Sequence, residues 1–147
     1  MKNLISGFKL LEISGDLFTA SGGDSLVHCV SADFHLGRGI AVDFKSRYPG
    51  IKTLVGTKVG EVGVYKLPKY FIYNLVTKSF FYEKPEYEIL RKCLQSMASH
   101  AKFHSVNRIS MPRIGCGLDN LNWNIVKSML VDAFSDSDII ISVYALL

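Results

Sequence analysis

The chain predicts an α/β domain of three layers around a mixed sheet. β-rich runs interleave with segments of helical period, and two of those runs, separated only by Pro68-Lys69, form an antiparallel hairpin. Several runs also end in glycine loops, which is where an open α/β sheet places its ligand crevice.

Taken in order, Phe8-Lys9-Leu10-Leu11-Glu12-Ile13 reads as a strand that Ser14-Gly15-Asp16 stops with turn chemistry. Leu26-Val27-His28-Cys29-Val30 is short and mostly apolar, as suits a strand covered on both faces. It leads to Gly37-Arg38-Gly39, after which Ile40, Phe44 and Tyr48 fall four apart until Pro49-Gly50, so a helix of about two to three turns is expected. The hairpin arms cover residues 62–67 and 70–76, and Lys78 emerges just past the second. Pro85 opens a second helix whose apolar positions Tyr87, Leu90, Leu94, Met97 and Ala101 follow three- and four-residue steps. A short strand at 108–111 feeds the second glycine loop, residues 124–134 repeat the helical pattern, and a β-branched strand at 139–144 closes the series.

With 147 residues and 48% hydrophobic content, the chain fits one domain, spanning 1–147, that buries a real core. No apolar run is long enough to cross a bilayer, and the stretch 1–13 is interrupted by Lys9 and Glu12, so it does not read as a secretory signal. Cys29, Cys93 and Cys116 are odd in number and widely spaced, which argues against a disulfide framework and for an intracellular, reducing compartment. The net charge of +4 comes from 17 basic and 13 acidic residues that are scattered along the chain. That balance favours anionic ligands but lacks the basic stripe of a nucleic-acid binder.

Chemistry concentrates in Ser110-Met111-Pro112-Arg113-Ile114-Gly115-Cys116-Gly117-Leu118-Asp119, where an apolar run breaks into a glycine-paired loop ending in a carboxylate. Lacking a Cβ at Gly115 and Gly117, the backbone can adopt positive φ and close its N–H groups on an anion, with Asp119 placed to act on what they hold. Gly37-Arg38-Gly39 before Ile40 is a second glycine-bracketed turn, this time at a helix start whose dipole also favours phosphate. Two such loops point to a diphosphate ligand. Gly15-Asp16, the Gly37 loop, Lys78 and the Gly115 loop each follow a strand and could line one cleft.

Plainer readings accompany each feature. Gly15-Asp16 alone is a strand-ending turn, and Lys78 alone is a solvated surface lysine. Asp119 has the chemistry of a helix cap, a role for which Asn120 and Asn122 compete. Cys116 has no histidine nearby in sequence and reads as a small packed residue rather than a nucleophile. His100 and His104 have the spacing of a helical metal pair but no third ligand, so a solvated helix end is expected. Trp123 and the other aromatics fall mostly at core spacing, and neither glycine loop completes a nucleotide-hydrolase or dinucleotide-redox signature.

Gly15-Asp16-Leu17, His28-Cys29-Val30-Ser31, Gly37-Arg38-Gly39-Ile40-Ala41 and the run from Met111 to Asp119 together resemble a macro domain. Leu75-Val76-Thr77-Lys78, Gly117-Leu118-Asp119 and the ending Val143-Tyr144-Ala145-Leu146 resemble its terminal ADP-ribose protein glycohydrolase branch more narrowly. The resemblance implies a three-layer α/β/α fold with a mixed, largely parallel central sheet. It further implies that Asp16 bonds the adenine amino group with Leu17 beside it, and that Leu146 borders the base. Ser31, Gly37, Arg38, Gly39 and Ile40 on one side, and Pro112, Arg113, Ile114, Gly115, Cys116, Gly117 and Leu118 on the other, would bind the ligand, the loop from Arg113 to Gly117 wrapping the diphosphate and distal ribose.

In that branch the counterpart of Lys78 is the nucleophile and the counterpart of Asp119 the acid/base. The implied activity is removal of mono-ADP-ribose from glutamate or aspartate esters on proteins, with O-acyl-ADP-ribose esters as related substrates, through a lysine adduct. A nucleophilic amine must be neutral, and Phe80, Phe81 and Tyr82 could supply an apolar wall for it. No metal or redox cofactor is implied. The expected partners are ADP-ribose and ADP-ribosylated proteins, without membrane or direct nucleic-acid binding, and the chain is expected to be a monomer in the nucleus, the cytoplasm or both. Arg38 departs from a family loop that usually has a small residue between its glycines. It could strengthen diphosphate binding or fold over the distal ribose, which keeps open the alternative of a non-catalytic ADP-ribose reader.

Overall fold

A computed structural model describes residues 7–146, which form a six-stranded sheet with helices on both faces. Of the stretch 1–13, residues 1–6 lie outside the described part. In chain order the elements are β1 (Lys9–Ser14), β2 (Ser25–Ser31), α1 (Ile40–Arg47), β3 (Val62–Lys66), β4 (Phe71–Lys78), α2 (Tyr87–Phe103), β5 (Arg108–Pro112), α3 (Trp123–Phe134) and β6 (Ile140–Ala145). The strands lie in the order β1-β6-β5-β2-β4-β3. All neighbours are parallel except β3 and β4, whose hairpin is closed by the Leu67 N–H donating to the Tyr70 carbonyl at 2.9 Å. The sheet is therefore mixed and largely parallel.

Side chains of β4 alternate between two cores, as the pleat requires. Tyr73 and Leu75 pack with Leu90, Leu94 and Met97 of α2 and Val126, Leu130 and Phe134 of α3. Ile72 and Val76 face the other way, toward Phe44 of α1 and Ile51. Ile51 belongs to a short 3-10 turn, Pro49–Leu54, which follows α1 because proline suits the first position of a new turn as well as it ends an old one. Pro85 does not open α2 as expected. Glu86 keeps an extended backbone (φ −100°, ψ 146°) and caps the helix, which begins at Tyr87.

Asp24, buried just before β2, accepts a hydrogen bond from Ser110 Oγ at 2.9 Å and pairs with Arg108 Nε at 3.3 Å. This strap ties the entrance of β2 to β5. Their pairing covers only Ser25 with Ile109 and Leu26 with Ser110, and beyond it the two strands part. The chain after β2 forms α1 on one face of the sheet, whereas the chain after β5 forms α3 on the other. A parting between strands whose connections leave on opposite faces is the topological switch point at which α/β sheets bind ligands.

Candidate active site

The parted carboxyl ends open into a cavity of about 850 Å³, within the size range of small-molecule sites. Its walls come from the loops after β2, β4 and β5 and from the end of β6. Ser31, Gly37, Arg38, Gly39 and Ile40 line it from the α1 side, Pro112 through Leu118 from the α3 side, and Leu146 at its border. Asp16 and Leu17 are not in the lining. Leu17 is buried in the core around Phe44, and Asp16 accepts a hydrogen bond from the Phe18 N–H through Oδ1, which leaves its second oxygen unused. The Gly15 N–H donates to the Ala145 carbonyl at 3.0 Å, so Asp16 follows directly on a backbone bond to the cavity's β6 edge.

Lys78 and Asp119 meet across the crevice, Nζ to Oδ1 at 2.6 Å. A register irregularity places Lys78 there: Val30 pairs with Val76, but Ser31 pairs with Lys78, so Thr77 is an extra residue that re-aims the end of β4. Asp119 is free for this contact because it is not the cap of α3. Asn122 performs that service, accepting hydrogen bonds from the Asn124 and Ile125 N–H groups. Both members of the pair are mostly shielded, with side chains 13% and 18% exposed. Of the aromatics expected to wall the amine, Phe81 and Tyr82 line the same cavity as Lys78 while remaining partly exposed, and a carboxylate faces Nζ directly.

The two glycine loops present unpaired amides. Among the described residues, the N–H groups of Gly37, Arg38 and Gly39 in one loop and of Gly115, Gly117 and Leu118 in the other donate to no protein acceptor. Gly39, at the start of α1, adopts φ 60° and ψ −147°, a conformation essentially restricted to glycine. Gly115 has φ 73°, and the Leu121 N–H returns to its carbonyl at 2.8 Å to close the loop. A Cβ at Gly115 would lie 2.8 Å from Leu121 Cδ1. Gly115→Ala should therefore weaken binding of the expected diphosphate ligand by about tenfold, through strain of order 1–3 kcal/mol and a displaced loop, and calorimetry against the wild type measures it. Equal affinity would mean that this backbone does not hold the ligand.

Arg38 is exposed at the mouth of the cavity. Arg113 Nε is buried without a partner, a donor whose desolvation a bound anion would offset. The rest of that guanidinium lies 5.7 Å over the Trp123 ring and 3.5 Å from Glu12. Trp123 itself lines the cavity and donates its indole N–H to Glu12, which also receives Lys127. Those bonds from Lys127 and Trp123 hold the Glu12 carboxyl below the usual range. Core-like spacing hid this tryptophan; its place directly after the Asn122 cap, at the exit of the glycine loop, was the available signal.

Thiol chemistry is disfavoured. Burial pushes the Cys29 thiol well above its ordinary value and raises that of Cys116, against a lowering pull from Arg113. His100 and His104 do lie at the end of α2, His104 exposed and His100 half-buried, with His100 Nδ1 2.8 Å from the Tyr73 hydroxyl and its ring stacked on His104 at 3.9 Å. Among the described residues no group of three or more histidine, cysteine or acidic side chains is arranged to hold a metal ion.

Residues 27–130 match the family model of the macro domain. The chain is 46% identical over 142 residues to the ADP-ribose glycohydrolase OARD1 of Bos taurus, covering 95% of this chain and 93% of the relative, and 45% identical to that of Homo sapiens over the same shares. Its fold superposes on the macrodomain of Thermus aquaticus DarG with a TM-score of 0.83, at 23% identity, covering 94% of this chain and 99% of the other. With the crevice at the β2–β5 parting, these matches make the chain a member of the macro domain family.

Proposed function

We infer that the chain is an ADP-ribose glycohydrolase that frees mono-ADP-ribose from glutamate and aspartate side chains, and that it acts by the same steps on O-acyl-ADP-ribose whose acyl group is carried on the anomeric oxygen. The 2.6 Å contact between Lys78 and Asp119, set at a cavity flanked by two loops of unpaired amides, carries this reading. The diphosphate lies on those amides, Asp16 takes the adenine amino group with its unused oxygen, and the distal ribose reaches Lys78.

At rest the amine donates to Asp119. It becomes nucleophilic by handing a proton to that carboxylate. Nζ attacks the anomeric carbon and forms a C–N bond while the C–O bond to the acceptor breaks, the acceptor carboxylate leaving with the electron pair. The adduct's Nζ passes a proton to the departed carboxylate, and ring opening then converts it into a protonated Schiff base, Asp119 returning a proton to the ring oxygen. Water adds to the C=N carbon, with Asp119 accepting its proton, and collapse releases the lysine amine and ADP-ribose. One ester and one water are consumed; one carboxylic acid and one ADP-ribose are produced.

Incubation with protein carrying glutamate-linked ADP-ribose, followed by chromatography of the supernatant, should show free ADP-ribose at a rate proportional to enzyme. Calorimetric binding of ADP-ribose without release would make the chain a reader. Neither binding nor release would reject both.

A further inference from the structure

We propose that the aromatic loop after β4 is the docking face for the acceptor polypeptide, and that it selects modified glutamate or aspartate residues with an apolar neighbour in the chain. The proposal rests on the hydrolase reading, since it takes the distal ribose to lie at Lys78. Phe80, Phe81 and Tyr82 follow that lysine and are 48%, 42% and 72% exposed, a contiguous apolar surface where a folded domain normally keeps polar side chains.

The loop is also rigidly built. Phe81 stacks on His35 at 4.1 Å, and its N–H, with that of His35 and the Ser31 hydroxyl, bonds the Asp33 carboxylate. The Phe80 N–H donates to Glu83 Oε1 at 2.9 Å, and Phe80 lies parallel to Tyr82 with centroids 5.6 Å apart. A fixed aromatic surface gains contact area at little cost in conformational entropy, which is the usual design of a recognition patch. Phe81, Tyr82 and Glu83 edge the cavity mouth beside Lys78. A polymer bonded to the anomeric carbon at Lys78 can therefore rest on this loop as it leaves the cavity.

Charge chooses among polymers. Arg38, Glu83 and Lys84 make the surroundings mixed in sign, and Glu83 is held at the mouth where a phosphate backbone would have to pass. Nucleic acid demands the opposite arrangement, a track of cations. A polypeptide offers a single side chain whose charge the ester has removed, and an adjacent apolar group for the rings.

The test uses two peptides with ADP-ribose on one glutamate, flanked by leucine or by serine, together with ADP-ribose acetylated on the anomeric oxygen, which has no polymer, and an ADP-ribosylated oligonucleotide. The wild type should favour the leucine-flanked peptide over the serine-flanked one by about tenfold in kcat/KM, the scale of one partly buried side chain. In F80S/Y82S the ratio of leucine-peptide to acetyl-ester turnover should fall by a similar factor. Indifference to the flanking residue, or a parallel fall on both substrates, would overturn the proposal. Preference for the oligonucleotide, abolished in the double variant, would overturn the choice of polymer. If ADP-ribose binds but nothing is turned over, the ratio of the two peptides' Kd values reads the same preference directly. If ADP-ribose does not bind, the hydrolase reading falls first and this proposal with it.

Discussion

Lys78→Ala should abolish ADP-ribose release while keeping ADP-ribose affinity close to that of the wild type. The substitution removes the nucleophile but leaves both amide loops and the core untouched, because the Lys78 side chain makes its hydrogen bond to Asp119 alone. Asp119→Ala should slow release by roughly a hundredfold to ten-thousandfold, the usual worth of a positioned acid/base. The two variants are expected to differ in what accumulates. Asp119→Ala keeps the amine but loses the group that takes its proton and serves the ring oxygen, so reduction with cyanoborohydride should fix ADP-ribose on residue 78 less extensively than in the wild type, and in Lys78→Ala not at all. Peptide mapping by mass spectrometry locates the label. A label spread over several lysines, or full activity in Lys78→Ala, would remove the covalent mechanism and leave a direct attack of water.

Local signals exposed most of the architecture. Hydrophobic period marked α2 and α3, and Pro68-Lys69 announced the hairpin, because these patterns arise within a few residues of each other. The glycine loops and Lys78 were visible for the same reason. What stayed hidden depends on pairing between distant segments. Nothing near Lys78 discloses that Thr77 is an extra residue in the ladder, since that is a property of β4 relative to β2. The choice of Asn122 over Asp119 as cap is decided by where α3 can begin once Leu121 is buried under Gly115. Phe80, Phe81 and Tyr82 belong by composition to a core, and only the position of their loop beyond the carboxyl end of β4 turns them outward.

Acid should destabilise the protein through His28 more than through its exposed carboxylates, and the cause again spans the sheet. His28 is wholly buried and stands opposite Asn74 in the β2–β4 register. The Asn74 amide nitrogen donates to the Gly63 carbonyl at 2.9 Å, which leaves its oxygen to accept from His28 Nε2–H at 2.6 Å. The imidazole is thereby held neutral, its Nδ1 without a partner and its ring stacked on Phe44 at 3.8 Å. Burial lowers its pKa from 6.5 to about 4, the Asn74 bond pulling the other way.

In the unfolded chain the same group titrates near its ordinary value of about 6.5, so between these values the unfolded state binds more protons than the folded one. Stability from this residue is complete above about pH 6.5 and falls as pH drops toward 4, by about 3 kcal/mol in all. Urea midpoints taken from about pH 7.5 down to pH 4.5 measure the slope, and His28→Leu/Asn74→Leu, which removes both polar partners, should flatten it by about 2 kcal/mol. Parallel curves for the two proteins would show that the histidine is not the acid-sensitive group. Phe44 sits one turn into α1, whose first residue follows Gly39. Because burial keeps His28 neutral in the folded protein down to about pH 4, the helix that presents the Gly37 loop stays in place, and ADP-ribose affinity of the folded protein should hold steady over the interval in which its stability falls.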